Sequence, residues 1–337
     1  MAKIVYVVPE RETTALNTWL VNLWKNYVDI ELHVSGCIYP ADTVFMYDLY
    51  VSNFDDISTR LDQGYRIIMN HANEHYIYTH HAELLSLSQR VGKQICWIIS
   101  GVQPARADFE IVATPYWYWI MDQANFASGD LHTVEYYPNG SADFLCTMNL
   151  RRHERDQLYT ALKQHSRPGL LSYRDMNVFI PNDIAMSDWQ RRINRNWLHQ
   201  SYYTIVPESY VKDYDYRTGI AITERNDEFV SEKTLKPLAA QHPFLLVSTR
   251  GNLQHVRDLG FETFPELFDE SYDLHFKWQQ RIAAVLEQVQ KFNPNDIKNP
   301  RVREKLRHNQ HRFFDRNLTD HFFKTTVAEP VVKWINA

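Results

Sequence analysis

The chain has 337 residues, a length at which one hydrophobic core usually gives way to two domains. Hydrophobic residues make up 44 % of it and charged residues 23 %, which excludes a disordered or low-complexity protein. The net charge of −5 is unevenly spread, because residues 151–197 carry nine Lys or Arg against five Asp or Glu, and residues 291–324 carry nine against four. These two basic segments are typical of a surface that faces a polyanion, and equally of solvated helix faces.

The cysteines and the apolar runs bear on the compartment. Cys37, Cys96 and Cys146 lie far apart in apolar runs and form no Cys-x-x-Cys pair, which predicts buried free thiols in a reducing compartment. The apolar run in residues 1–9 is too short for a signal-peptide core, and no stretch of about 18 apolar residues occurs. We therefore expect a cytoplasmic protein without membrane insertion.

Short β-rich runs alternate with helical patterns along the chain. Before a linker of Tyr, Pro, Asn, Gly and Ser at residues 137–141, strands are predicted at residues 3–8, 30–34, 64–70, 94–99 and 111–113. After that linker the pattern restarts, with strands predicted at residues 143–149, 201–206 and 243–248 and a last helix at residues 275–291. Strands that alternate with helices indicate parallel sheets covered on both faces, here in two α/β units.

The segment at residues 229–244 has the strongest chemical pattern. Ser231 is placed to cap a helix that begins at Glu232, which would leave backbone N–H groups aimed outward with Lys233 in the first turn. Such a helix start suits a pyrophosphate, and Glu232 would suit ribose hydroxyls. The alternative is an i,i+4 surface pair of Glu232 with Lys236 beside a solvated Lys233.

Two elements carry a resemblance to a known family. Pro-Glu-Ser at residues 207–209, followed by Phe-Val-Ser-Glu-Lys at residues 229–233, resembles the donor-binding half of alpha-1,3-fucosyltransferase-like enzymes. Residues 231–273 also resemble glycosyltransferase-like proteins of tailed bacteriophages. The resemblance covers residues 143–315. Ser209 stands where the family has Asn, and Ser231 where it has Thr.

This resemblance implies a GT-B architecture, in which two Rossmann-like α/β lobes flank a cleft. Residues 1–138 would form the acceptor-side lobe, residues 143–315 the nucleotide-sugar-binding lobe, and residues 316–337 a tail that packs back on the first lobe. The site residues that the resemblance implies would contact the ribose and phosphates of a UDP- or GDP-linked sugar. They are Glu208, Glu232 and Lys233, with Asn149, Arg151, Arg152 and Arg155 at the first strand-to-helix turn of that lobe. A solvated helix start remains the alternative for Arg151 and Arg152.

The N-terminal half contains His-x-x-Glu-His at residues 71–75, an inverted zinc-hydrolase signature when it lies on a helix. Here the segment follows a predicted strand directly and has no evident third ligand, so we do not predict a metal. Glu74 or His71 at a strand end would instead serve as the base on the acceptor hydroxyl, with Asp48 a weaker competitor. A loop carboxylate without a role is the alternative for Glu74.

A second possible metal signature is Asp-Tyr-Asp at residues 213–215. It lies in a polar stretch rather than at the end of a buried strand, so we predict that no metal or other resident cofactor is required. The leading hypothesis is thus a metal-independent glycosyltransferase. A metal-dependent hydrolase centred on His71, Glu74 and His75 is one alternative. A nucleotide- or DNA-binding module without turnover is the other.

The acceptor hypothesis comes from the phage resemblance. A hydroxymethylated base in double-stranded phage DNA, within the host cytoplasm, would need cations for the phosphates and aromatic rings for a flipped base. The candidates are Arg191, Arg192 and Arg195 for the phosphates, and Trp117 and Trp119 for the base. The overall negative charge favours a glycan or a small acceptor instead. The alternative interpretation is that the arginines lie on a solvated helix face and the tryptophans are part of the core.

Overall fold

The structure is a computed structural model that describes residues 3–7, 21–32, 39–48, 54–71, 87, 90–100, 110–127, 135–136, 138–180, 194–208 and 230–337. The chain divides into two compact units, one of residues 1–117 with 317–337 and one of residues 118–316. Both contain a parallel sheet with helices, which confirms the predicted α/β class and is consistent with Rossmann-like lobes. Among the described helices, none is both long and apolar enough to cross a bilayer.

The first unit contains a six-stranded parallel sheet in the order β2-β1-β3-β4-β5-β6. Its strands are β1 (Lys3–Val7), β2 (Asp29–Leu32), β3 (Val44–Asp48), β4 (Arg66–His71), β5 (Ile95–Ser100) and β6 (Glu110–Thr114). Helix α1 (Phe54–Asp62) connects β3 to β4. Strands of a parallel sheet are buried on both faces, and the long side chains Phe45, Met69 and Trp97 accordingly form the core of this unit.

The last residues of the chain belong to the first unit. The indole of Trp334 donates to the carbonyl of Lys93 at 2.9 Å, and Arg66 donates to the carbonyls of Trp334 and Ile335 at 2.9 and 2.6 Å. The ring of Phe323 packs edge-on against Trp24 at 5.1 Å. Aromatic side chains and backbone carbonyls thus attach this terminal segment to the six-stranded sheet.

The second unit begins with helix α2 (Trp117–Ala127), and its sheet is four parallel strands in the order β10-β9-β7-β8. The strands are β7 (Ala142–Met148), β8 (Gly169–Tyr173), β9 (Ser201–Pro207) and β10 (Phe244–Val247). The helices between them are α3 (His153–Gln164), α4 (Arg195–Gln200) and α5 (Glu232–Ala239). After β10 come α6 (Asn252–Asp258), α7 (Trp278–Lys291) and α8 (Pro300–Phe313), then α9 (Arg316–Phe323) and α10 (Glu329–Asn336) toward the end of the chain.

Contacts divide the chain at residues 117 and 118, whereas the prediction placed the boundary in the linker at residues 137–141. The reason is the packing of α2. Trp119 and Gln123 both donate to the carbonyl of Phe313 at 2.9 Å, and the Trp119 ring lies 4.7 Å from that of Phe261. Helix α2 therefore packs with the helices of the second unit, although it precedes the linker in the chain.

Candidate functional site

The strand order of the second unit reverses at β7. The connection from β7 leads to β8 on one side, and the connection from β8 crosses back to β9 on the other side. Right-handed crossovers then place α3 on one face of the sheet and α4 and α5 on the opposite face. Open α/β sheets bind their ligands at the carboxyl ends of the strands where such a reversal occurs. The segments that follow β7 and β9 are therefore the place to look for a site.

Glu208, the first residue after β9, is fully buried and holds the start of α5. Its carboxylate accepts hydrogen bonds from the Ser231 backbone N–H at 3.0 Å, the Ser231 hydroxyl at 2.6 Å and the Thr234 hydroxyl at 2.7 Å. The Ser231 hydroxyl in turn accepts from the Lys233 N–H at 3.3 Å, as the capping prediction required. Two backbone N–H groups at this helix start, those of Ser231 and Lys233, are thus bonded to Glu208 and Ser231 within the protein.

Glu232 and Lys233, the first two residues of α5, form an ion pair. Their atoms Oε1 and Nζ lie 2.9 Å apart, and only 13 % and 16 % of the two side chains are exposed. Burial by itself would raise the pKa of the Glu232 carboxyl, but the charges of Lys233 and Lys236 outweigh it and lower that pKa to about 2. Glu232 therefore stays ionised at every physiological pH.

The turn between β7 and α3 contains the predicted residues Asn149, Arg151 and Arg152. Arg151 is 63 % exposed and pairs with Asp156 at 3.0 Å, so most of its guanidinium is in solvent. Its backbone N–H donates to Asp175 at 2.7 Å, and the Arg152 N–H donates to the Tyr173 hydroxyl at 3.2 Å. The turn is thus fixed to the segment that follows β8, and the Arg152 side chain is half-buried beside it.

Arg155 connects the two strand ends from within. It is 3 % exposed and donates to the carbonyl of Leu150 at 3.1 Å, to that of Glu208 at 3.2 Å and to that of Pro207 at 3.4 Å. Burial, followed by the neighbouring charge of Arg152, lowers the pKa of this guanidinium. Arg155 therefore positions the β7 turn against the end of β9 rather than facing solvent.

Two further cations lie near this site, and the sequence reasoning did not assign them to it. Arg174 directly follows β8 and is 8 % exposed, and Lys236 lies one turn into α5 and is half-buried. Burial lowers the pKa of Lys236. The negative charges of Glu232 and Asp122 oppose that shift, and the positive charges of Lys233 and Arg174 add to it. Arg174 could have been found as a charged residue directly after a strand, and Lys236 by its helical spacing from Glu232.

Residues 261–273, the last part of the segment whose sequence resembles phage glycosyltransferase-like proteins, stabilise the far edge of the same sheet. The Tyr272 hydroxyl accepts from the backbone N–H of Leu246 in the edge strand β10 at 3.0 Å. Asp273 accepts from the Leu253 N–H at 3.0 Å, which holds the first turn of α6. Glu270 accepts from the Phe264 N–H at 2.7 Å. Tyr272, Asp273 and Glu270 thus bond to the backbone of β10, of α6 and of the segment itself, in that order.

The acceptor-side predictions are distributed differently. Trp117 and Trp119 are 3 % and 1 % exposed and pack in the core, so their rings offer no surface to a flipped base in this structure. Arg195 is exposed at the first position of α4. Of His71 only the backbone is described, as the last residue of β4. Other predicted residues lie outside the described part of the chain: Glu74, His75, Arg191, Arg192, the side chain of Asp48 and residues 213–215.

Within the part of the chain that the structure describes, no three His, Cys, Asp or Glu side chains are grouped as a metal would require. No protein-family model matches the sequence, and no curated protein matches it either. The function is therefore inferred from the chemistry of the site itself.

Proposed function

We propose that this protein is a nucleotide-sugar-dependent glycosyltransferase and that its two α/β units correspond to the two lobes of a GT-B enzyme. The donor diphosphate would bind at the carboxyl ends of β7, β8 and β9. One observation carries the proposal: four largely buried or half-buried cations cluster around the strand reversal of the second sheet. They are Arg152, Arg174, Lys233 and Lys236.

The cost of gathering these charges is the reason to expect an anionic ligand. Lys236 already has a lowered pKa, because it is buried and lies near Lys233 and Arg174. A diphosphate placed among Lys236, Lys233 and Arg174 would raise the pKa of Lys236 again, because negative charges favour the protonated amine. Guanidinium and ammonium groups are also the side chains best suited to phosphate oxygens. The mixed lining suits a nucleotide, since Glu232 at the same helix start is ionised and offers two acceptor oxygens for ribose hydroxyls.

In the proposed reaction the acceptor hydroxyl oxygen bonds to the anomeric carbon, and the bond from that carbon to the diphosphate oxygen breaks. The diphosphate leaves with the bonding electron pair, and Lys233, Lys236 and Arg174 would stabilise its growing negative charge. The hydroxyl proton passes to a base, for which His71 or Glu74 of the first unit remains the proposal from the sequence. With these cations around the leaving group, no metal is required in this scheme. A hydroxymethylated base in DNA or a glycan would supply the hydroxyl.

The donor site is tested by nucleotide binding to matched variants. UDP and GDP should bind the wild-type protein and stabilise it, by about 2.7 kcal/mol at a concentration of 100 times Kd. Lys236→Met, which keeps the aliphatic stem and removes the charge, should weaken that binding at least tenfold, and so should Lys233→Ala. Lys163→Ala removes an exposed lysine of α3 away from the strand ends and serves as the control. Equal affinity in all four proteins, or no nucleotide binding by wild type, would refute the donor site.

Transfer itself is tested with a panel of UDP- and GDP-sugars. Lys233→Ala should lose turnover by on the order of a hundredfold, because removal of a preorganised charge acts on the transition state. Activity should persist in EDTA if the cations replace a metal. Loss of transfer in chelator with recovery in manganese would contradict the metal-free reaction while leaving the donor site intact. Label transferred to hydroxymethylcytosine-containing DNA, to unmodified DNA or to glycans identifies the acceptor.

A further inference from the structure

A cleft in the second unit lies at the end of the four-stranded sheet that is opposite to the proposed donor site. It is a shallow depression open to solvent, with a cavity volume of about 30 Å³, and it is lined by Glu135, Tyr136, Gln241, Arg303, Leu306 and Arg307. Tyr136 donates to the carbonyl of Tyr202, the second residue of β9, and Gln241 lies three residues before the first residue of β10. The cleft therefore lies at the amino ends of these strands. Seven residues of β9 separate the two edges of the sheet, which is about 20 Å at 3.3 Å per residue.

The two arginines at this cleft are arranged differently from Lys305 and Arg312 of the same helix. Lys305 pairs with Glu266 at 2.9 Å, and Arg312 donates to the carbonyl of Leu259 at 2.7 Å, so both are engaged within the fold. Arg303 and Arg307 are exposed, and among the described residues neither has a hydrogen-bond or ion-pair partner. They are spaced i,i+4 on one helix face, where like charges repel each other.

The other walls of the cleft are formed by Leu306, Tyr136 and Gln241. Leu306 is buried between the two arginines in sequence, and the half-buried Tyr136 ring packs edge-on against His242 at 5.7 Å. The Gln241 amide nitrogen donates to Gln310 at 2.6 Å. Gln241 has a left-handed backbone with φ of 52°, which an L side chain rarely adopts and which ends α5 at the cleft wall. Two cations and the exposed residue Glu135 thus line a concave, partly apolar surface.

We propose that this cleft is a second anion site, which binds a phosphate group between Arg303 and Arg307. A phosphate group has several oxygens that can accept from guanidinium forks on two sides, whereas a carboxylate has only two oxygens and one arginine satisfies both. Side chains four residues apart rise by about 6 Å along a helix and reach one ligand from two sides. The distance from the carboxyl edge makes this site separate from the proposed donor site. The phosphate belongs either to a free phosphorylated molecule or to the backbone of a nucleic acid.

The experiment measures binding of inorganic phosphate, AMP and a labelled 20-base-pair DNA duplex to the full chain. Arg303→Ala/Arg307→Ala should weaken the probes that bind at this cleft by at least tenfold. Arg303→Lys/Arg307→Lys keeps the charges and loses the two-oxygen fork. Its affinity for the probes should lie between those of the wild-type protein and the double Ala variant. Arg301→Ala removes an exposed arginine of the same helix that does not line the cleft, and should change binding less than twofold. Probe binding that Lys233→Ala weakens and the double Ala variant does not weaken belongs to the proposed donor site, which separates the two sites.

The probes also identify the source of the phosphate. Binding of phosphate or AMP that the double Ala variant loses assigns a free ligand. Binding of duplex alone assigns the backbone, and the slope of log K against log salt should then fall by about 1.8 in the double variant, for two phosphate contacts. No binding of any probe by wild type would overturn the proposal. So would a loss in Arg301→Ala as large as that in the double variant, because the effect would then be one of general charge.

Discussion

Asp273 gives the sharpest prediction about stability. It is 3 % exposed, one carboxylate oxygen accepts from the Leu253 N–H at 3.0 Å, and the other has no hydrogen-bond partner among the described residues. Burial raises the pKa of this carboxyl to about 6, although the Leu253 hydrogen bond and the charge of Arg281 act in the opposite direction. The folded protein therefore binds a proton at Asp273 more tightly than the unfolded chain does.

The sign of the pH dependence follows from this difference. Asp273 contributes stability that is fully present below its unfolded pKa of 3.8 and is lost as pH rises through about 6. The shift of roughly two pKa units corresponds to about 3 kcal/mol, at about 1.4 kcal/mol per unit. Asp273→Asn keeps an oxygen for the Leu253 N–H and stays neutral at every pH. The variant should therefore gain stability over wild type as pH rises from 4 to 7.5, by up to about 3 kcal/mol.

Urea unfolding of both proteins at pH 4, 5, 6 and 7.5 measures that difference, and contributions from the other titrating groups cancel in it. Asp269→Asn is the matched control. Asp269 is exposed, and its hydrogen bonds from Ser271 lower its pKa, so its contribution is present at neutral pH and lost as pH falls. The Asp269 variant should therefore lose stability relative to wild type as pH rises. A difference for Asp273→Asn that is constant with pH, or that falls with pH, would refute the assigned burial cost.

Two substitutions test the framework of the site. Arg155→Ala should lower the free energy of unfolding by about 3 kcal/mol, because the carbonyls of Pro207 and Glu208, which are buried, and that of Leu150 lose a charged donor. The exposed Arg151→Ala should change it by less than about 0.5 kcal/mol. Gly140→Ala should destabilise more than Gly251→Ala: both glycines have positive φ, but only the Cβ at Gly140 would overlap Tyr202. Equal losses within either pair, by urea unfolding, would contradict the contacts assigned here.

Most of the parallel sheets could be predicted from the sequence, and the missed strands have physical reasons. The first four residues of the run at 44–48 are all apolar or aromatic, so it lacks the alternation that distinguishes a strand from a buried helix. Strand β8 has only five residues, and its first three are exposed or half-buried because it lies at the edge of its sheet. Residues 143–149 and 201–206 were predicted well, because strands in the interior of a parallel sheet are buried on both faces.

The candidate site was predictable where it depends on strand ends and not where it depends on tertiary contacts. Arg152 and Lys233 lie far apart in sequence but both follow strands that are neighbours in the sheet, and such strands end at the same edge. Nothing local shows that a carboxylate directly after β9 turns inward to a helix 23 residues later, as Glu208 does. The burial of Trp119 depends likewise on α8, which begins more than 180 residues further along the chain.

Glu208 is where the family resemblance and the geometry assign different roles, and a pair of variants separates them. As a buried cap, its carboxylate satisfies the Ser231 N–H and two hydroxyls, so Glu208→Ala should cost about 3 kcal/mol through unsatisfied donors and a cavity. Glu208→Gln keeps one acceptor oxygen and the side-chain volume and should cost about 1 kcal/mol, mainly the charge at the helix start.

A cap acts on the ligand only by positioning α5, so nucleotide affinity in Glu208→Gln should stay within a few-fold of wild type. If Glu208 bound the ribose instead, the result would be the opposite. The amide of Glu208→Gln would replace an oxygen that contacts the nucleotide, so affinity would fall while the free energy of unfolding stayed unchanged. Urea unfolding and UDP or GDP titration of the two variants distinguish these cases. Loss of nucleotide binding at unchanged stability in Glu208→Gln would contradict the cap. If Glu208→Ala lowers the free energy of unfolding strongly and nucleotide affinity only in part, Glu208 acts on the ligand indirectly. It is then a positioning residue.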